Sequence, residues 1–251
     1  MSTDRFEIYP AIDIRHGQVV RLQEGDPARQ TVFGDDPLAV AERWAAQGAC
    51  WLHVVSLDGA LDDANHAASR AAQFDALLQS LCSVGPRVQF GGGVRSLSRI
   101  EAVLRTGVSR VVLGTAAVEQ PELVREAVDR FGSAAIAVGL DTRQGYVRVR
   151  GWQTEGGLTA VELGRQVKAL GVEWLVHTEI ERDGRLVGVN VQASARLAGA
   201  CGLRVITSGG VAGADDVRQA RAAGLAGVII GRALYEGGID LQALIKEVEA
   251  V

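Results

Sequence analysis

Two aspartates close apolar runs in this chain: Asp13 ends YPAID and Asp141 ends AVGLD. A carboxylate set among apolar strand residues has its pKa raised by desolvation, whereas a nearby arginine or hydroxyl lowers it. Two such groups can therefore divide general-acid and general-base work. Taken singly, either one reads equally well as a turn residue capping the D-x-R-x-G stretch that follows it. Two glycine-rich turns supply a second chemistry. Gly92–Gly93 is followed 21 residues later (114 minus 93) by Gly114–Thr115, and Ser208–Gly209–Gly210 is followed at the same interval (231 minus 210) by Gly231–Arg232. Glycine has no Cβ to hold an anion away from backbone N–H groups, and a helix N-terminus beyond the turn adds favourable dipole charge. One set alone makes a tight turn; two sets at matched spacing point to two phosphate cradles. A ligand with a phosphate at each end would bridge them, with the carboxylates between.

The elements that must position these residues are legible as an alternation. Short runs rich in Val, Ile and Leu recur near 6–12, 51–56, 87–90, 109–113, 134–140, 173–178, 203–207 and 226–230, each separated by a longer amphipathic stretch. Parallel strands joined by crossover helices produce that pattern. Helices are expected over Pro37–Gln47, Ser98–Thr106, Pro121–Phe131 and Ala214–Ala223, several opening on Pro or following Asp or Ser. Eight strands in 251 residues, 47% of them apolar, match the roughly 250 residues of one (β/α)₈ barrel. No linker or low-complexity tract interrupts the pattern, so residues 1–251 are expected to form one domain.

The second half echoes the first. Residues 92–114 align without a gap on 209–231, at an offset of 117 (209 minus 92). Gly48, Trp51 and Leu52 recur as Gly171, Trp174 and Leu175 at an offset of 123 (174 minus 51), and Asp13, Arg15, Gly17 and Val19 recur as Asp141, Arg143, Gly145 and Val147 at 128 (141 minus 13). Two half-barrel repeats follow, about 1–125 and 126–251. In such a barrel the active site lies at the C-terminal mouth, so Asp13 after the first strand and Asp141 after the fifth would face each other there.

Charge and composition narrow the partners. With 26 Lys and Arg against 30 Asp and Glu there is no basic footprint for a nucleic acid, and no apolar run approaches the roughly 18 residues of a membrane span. Cys50, Cys82 and Cys201 are scattered, and His16, His53, His66 and His177 share no metal spacing, so neither metal nor cofactor is expected. The N-terminus lacks a secretory pattern, and a monomer in the cytoplasm acting on a small molecule is expected. Trp51 and Trp174, at strand starts, are expected to pack the barrel bottom.

PAIDIRHGQVVRL (10–22), FGGGVR (90–95), GWQ (151–153), TEIERDG (178–184), SGGV (208–211) and GRALYEG (231–237) together resemble a family of histidine biosynthesis. These are the isomerases of phosphoribosylformimino-5-aminoimidazole carboxamide ribotide, and the resemblance covers nearly the whole chain. It implies a half-barrel duplication binding a bis-phosphorylated ribotide and an Amadori rearrangement of aminoaldose to aminoketose without metal or cofactor. By the same resemblance Asp13 is the base and Asp141 the acid. Thr178 would hydrogen-bond near the reacting carbons, and Asp183 would be a second acid or an orienter. Trp152, in the long loop RQGYVRVRGWQTEGG, would stack on the carboxamide ring, and Arg21 and Arg95 are candidate phosphate or ribose contacts against a reading as surface ion pairs.

Two positions depart from the family pattern. Glu179 follows Thr178 where Asp is usual, and Ser56 stands where strand 2 usually reads Asp. Strand alternation turns Glu179 and His177 away from Thr178, so loss of activity does not follow. Three alternatives remain at this point. One is an isomerase also acting on phosphoribosyl anthranilate, with Arg143, Arg148 and Arg150 accommodating a carboxylate. Another is the cyclase subunit of imidazole glycerol phosphate synthase, disfavoured by PAID and the GW loop. The last is a non-catalytic phosphometabolite-binding barrel, which would have no need of opposed carboxylates.

Overall fold

Alternation along each apolar run sends one set of side chains into a barrel and the next set out beneath helices. The computed structural model describes residues 5–61, 67–149, 151–152 and 154–249. In chain order its strands are β1 (Glu7–Arg15), β2 (Gln18–Gln23), β3 (Asp26–Gly34), β4 (Trp51–Ser56), β5 (Arg87–Gly91), β6 (Arg110–Leu113), β7 (Ile136–Arg143), β8 (Tyr146–Val149), β9 (Thr154–Thr159), β10 (Trp174–Glu179), β11 (Arg204–Ser208) and β12 (Gly227–Ile230). Eight of them pair in parallel in the closed order β1-β4-β5-β6-β7-β10-β11-β12, with β12 returning to β1. This is the (β/α)₈ barrel, and its eight strands fall on the eight apolar runs.

Outward residues such as Ile12, Leu52, Val88, Val111, Leu140 and Val205 join the buried layer under the helices, while Tyr9, Ala11, Val112, Ala137, Val176, Ile206 and Ile229 fill the barrel. The helices begin where predicted, within a residue or so. Pro37–Ala46 is capped by the Asp36 carboxylate, which accepts from Leu38 N at 2.8 Å, and Leu97–Arg105 is capped by Ser96. Each cap satisfies an N–H that the helix cannot, worth about 1 kcal/mol.

The halves share registers as well as residues. Ala11 pairs with His53 as Gly139 pairs with Val176; His53 pairs with Gln89 as Val176 pairs with Ile206; Gln89 pairs with Arg110 as Ile206 pairs with Gly227. At the bottom, the repeat-related Trp51 and Trp174 clasp the Arg110 guanidinium at 4.8 and 3.7 Å, and Arg87 and Arg204 cover their outer faces at 4.2 and 4.3 Å. The tryptophans thus pack the barrel bottom, but around a buried cation.

The stretch 143–157, read from the sequence as a loop, is largely a hairpin: β7 runs on to Arg143, turns, and continues as β8 and β9. β1, β2 and β3 do the same in the first half, in matching register. Asp13 opposes Val20 as Asp141 opposes Arg148, and Arg15 opposes Gln18 as Arg143 opposes Tyr146. The turns His16–Gly17 and Gln144–Gly145 both hold paired positive φ angles (51° and 81°, 53° and 83°), the geometry of two-residue hairpins. These strands are hidden in the sequence because β3 and β9 bury little, so no apolar period marks them.

Candidate active site

The first-half hairpin carries Arg21 back over the barrel mouth. Its Nη1 donates to Asp13 Oδ2 at 2.7 Å, and its guanidinium lies so close over Gly231 that a Cβ there would fall 1.9 Å from Nη2. Asp183, in the loop after β10, acts on the same cation and lines the same two pockets, and Glu24 N of the hairpin holds that loop through Asp183 O at 3.2 Å. Opposite, Asp141 accepts hydrogen bonds from the Trp152 indole and the Thr178 hydroxyl. Trp152 reaches in from the second-half hairpin with φ +71°, its ring pressed on Gly25 of the first-half hairpin. The two hairpins therefore meet over the mouth.

All three carboxylates titrate above the ordinary range. Burial raises Asp13, with Arg21 opposing; burial raises Asp141, with the Trp152 and Thr178 hydrogen bonds opposing. Asp183 is pushed up to about 6 by burial, opposed by Arg21 and reinforced by the charges of Asp13 and Asp141. The surroundings of Asp13 and Asp141 are unlike although their positions are equivalent. At the offset of 128 the counterpart of Arg21 is Val149, and at the offset of 123 the counterpart of Thr178 is Val55. Among the described residues, the Arg21 cation acts on Asp13, and the Trp152 and Thr178 hydrogen bonds act on Asp141.

A cavity of about 230 Å³ runs between them, lined by Asp13, Arg21, Asp141, Trp152, Thr178 and Asp183, and reaches Gly92, Gly93, Arg95, Gly114 and Thr115 on one side and Ser208 on the other. A small adjoining pocket, sharing Arg21, Asp183 and Ser208, is lined by Gly209, Gly210, Gly231 and Arg232. Every site residue singled out from the sequence lines one of these two spaces. The Arg232 guanidinium is held by Gly184 O at 2.8 Å and Glu236 at 2.6 Å, so its contribution to the second cradle is at the backbone. Arg95 lines the cavity and is exposed.

The glycine turns are enforced by their neighbours. Gly92 (φ +107°) lies against Ser56, whose carbonyl oxygen would stand 2.2 Å from a Cβ, and Gly209 (φ +87°) lies against Glu179 O at 2.9 Å from a Cβ. Both loops are pressed onto the end of the neighbouring strand, where only glycine fits.

A model of the histidine biosynthesis protein family matches residues 7–240. The chain belongs to the histidine biosynthesis protein family. Among curated relatives, a protein of Methylocella silvestris is 46% identical over 242 residues, 95% of this chain and 96% of its own. One of Desulfitobacterium hafniense strain Y51 is 43% identical over 246 residues, 96% of each chain, and one of Symbiobacterium thermophilum is 46% identical over 239 residues, 94% of each. All three are named 1-(5-phosphoribosyl)-5-((5-phosphoribosylamino)methylideneamino)imidazole-4-carboxamide isomerase.

Against the family pattern, the two departures fall outside the cavity. Glu179 accepts from Asn190 Nδ2, and Asn190 in turn caps the helix Val191–Cys201 through Ala193 N at 3.1 Å. Ser56 Oγ accepts from Gly59 N at 3.2 Å. At both positions the backbone lies against a cradle glycine, Ser56 against Gly92 and Glu179 against Gly209. His177 likewise points outward, its Nδ1 2.8 Å from Ser194 Oγ and its Nε2 3.1 Å from Thr142 Oγ1. Of the arginines weighed for a second substrate, Arg148 lines the cavity and Arg143 does not; Arg150 lies outside the described residues, as do His66 and Gln153. Sequence reasoning passed over His53, which lines the cavity floor. A polar residue at an inward position of an otherwise apolar strand was the available signal.

Proposed function

We propose that this chain catalyses the reaction named for its relatives, the Amadori rearrangement of phosphoribosylformimino-5-aminoimidazole carboxamide ribotide from aminoaldose to aminoketose. The observation that carries the reading is the unlike pair of aspartates set between two glycine-turn cradles. One terminal phosphate occupies Gly92, Gly93, Gly114 and Thr115; the other occupies Ser208, Gly209, Gly210, Gly231 and Arg232. Asp141, its carboxyl raised by burial, is the proton donor and protonates the ribose ring oxygen, breaking the C1–O bond to leave a protonated imine. Asp13, kept ionised by Arg21, removes the C2 proton to give an enolamine. Loss of the O2 proton and protonation at C1 complete the aminoketose. Thr178 and Trp152 hold the Asp141 carboxyl, and the Trp152 ring also walls the carboxamide end.

Turnover tests the proposal. Pure protein given the aminoaldose ribotide is expected to convert it to the ketose, followed by absorbance or a coupled cyclase. No conversion would contradict the isomerase reading. A parallel fluorescence assay with phosphoribosyl anthranilate decides the dual-substrate reading, which Arg148 at the cavity wall favours.

Asp183 acts through Arg21. It shares that cation with Asp13, so the acid limb of kcat/KM belongs to the coupled pair and lies above the ordinary aspartate range. Asp183→Asn leaves the Arg21 cation to Asp13 alone, so the limb moves to lower pH. A limb that stays in place or moves up would exclude this coupling. Among the described residues no helix is long and apolar enough to cross a membrane. The complete site within one chain and three free thiols support a monomer in the cytoplasm.

A further inference from the structure

The barrel interior holds a polar chain that only one half possesses. Arg110, in β6, donates from Nη1 to Tyr9 Oη at 3.3 Å and to Gln89 Oε1 at 3.1 Å. Gln89 Nε2 lies 3.0 Å from His53 Nδ1, and His53 lines the cavity floor. Gln89 and Tyr9 are fully buried, and Arg110 and His53 are nearly so. At the repeat offsets of 128, 117, 117 and 123 the counterparts of Tyr9, Arg110, Gln89 and His53 are Ala137, Gly227, Ile206 and Val176. The second half builds the same strands in the same registers with none of these groups, so the fold does not require them.

Buried polar groups cost free energy unless each is satisfied, and while Arg110 is held between Trp51 and Trp174, that packing gives no reason for the line to run on through Gln89 to His53. Its chemistry has a direction. An arginine can only donate, so Gln89 must present its carbonyl to Arg110 and therefore its amide N–H to His53. His53 Nδ1 must then accept, which puts the ring proton on Nε2. Burial and the charge of Arg21 push the His53 pKa down to about 3, so the ring is neutral. A bond from a cation through an amide polarises the imidazole and strengthens its remaining N–H as a donor.

We propose that Gln89, held by Arg110, fixes His53 as the Nε2–H tautomer and so makes it a neutral hydrogen-bond donor to an oxygen of the sugar passing over the cavity floor. The identity of that sugar rests on the isomerase reading above; the tautomer does not. Gln89 is a positioning residue, because it acts through His53. A neutral donor suits this place: a protonated imidazole in the same cavity as Arg21 would add a second buried positive charge and lower the basicity the reaction needs.

The test is ¹⁵N NMR of histidine-labelled full-length protein at pH 8, with His53 assigned by single replacement of the histidines. The expected signature is a protonated, pyrrole-type Nε2 and a pyridine-type Nδ1. In Gln89→Glu the carboxylate accepts from Nδ1, the tautomer reverses, and kcat/KM for the aminoaldose falls roughly 10- to 100-fold, the cost of turning a buried donor into an opposed lone pair. Gln89→Leu, which leaves the ring unheld, serves if the Glu variant does not fold and is expected to lose less. A wild-type ring protonated on Nδ1 overturns the proposal, as does a reversed tautomer with unchanged kcat/KM. Wild-type protein inactive on the aminoaldose overturns the isomerase reading instead and leaves the tautomer to decide the role of Gln89.

Discussion

Replacing Asp13 by Asn is expected to lower kcat by roughly two to four orders of magnitude, the usual worth of a positioned general base, with KM changed far less. The amide has the shape of the carboxyl and can still accept from Arg21, which lies 2.7 Å from Oδ2. Asp183 remains to balance the guanidinium, so the variant keeps its fold and its phosphate cradles. What it lacks is a basic lone pair for the C2 proton. Steady-state kinetics on the aminoaldose check this, and near-native kcat in Asp13→Asn would remove the base assignment.

Arg21→Met is expected to act in the opposite sense to Asp183→Asn. Arg21 is the one group that opposes the burial-driven rise of Asp13, and it also opposes that of Asp183. An adjacent opposite charge typically holds a carboxyl down by one to three units, so its removal should carry the acid limb of kcat/KM upward by about that much. At pH values below the wild-type limb kcat/KM then falls by roughly 10- to 1000-fold, in step with the full shift, and less at neutral pH, where only the displaced part of the titration is felt. Methionine preserves most of the packing over Gly231, which separates lost charge from lost volume. The pH–rate profile is the readout; an acid limb that stays where it is in wild type would show that Arg21 does not set the ionisation of Asp13.

Those two variants mark what the sequence could and could not convey. Strand positions were legible because buried parallel strands are continuous apolar runs, and the repeat placed Asp13 and Asp141 at opposite sides of one mouth. Arg21 was visible only as a cation of uncertain use. Its pairing with Asp13 depends on the β1–β2 hairpin folding back, and β3, which completes that hairpin, is largely exposed and has no apolar period. Asp183 read as an acid or an orienter for the same reason: its role is set by Arg21 and by the loop contact at Glu24, both distant in sequence. His53 was missed because one histidine in WLHVVS has no pattern until Gln89 and Arg110 line up beneath it on neighbouring strands. Duplication explains where the aspartates stand. The unmatched residues, Arg21 against Val149 and Thr178 against Val55, explain how equal positions come to hold unequal acids.

The bridging of both cradles by one ligand is the centre of this account, and a crystal structure of Asp13→Asn grown with the aminoaldose ribotide tests it most directly. The predicted result is one phosphate at Gly92, Gly93 and Gly114, the other at Gly209, Gly210 and Gly231, and C2 of the sugar beside residue 13. A ligand with only one cradle filled, or with C2 out of reach of residue 13, would contradict it.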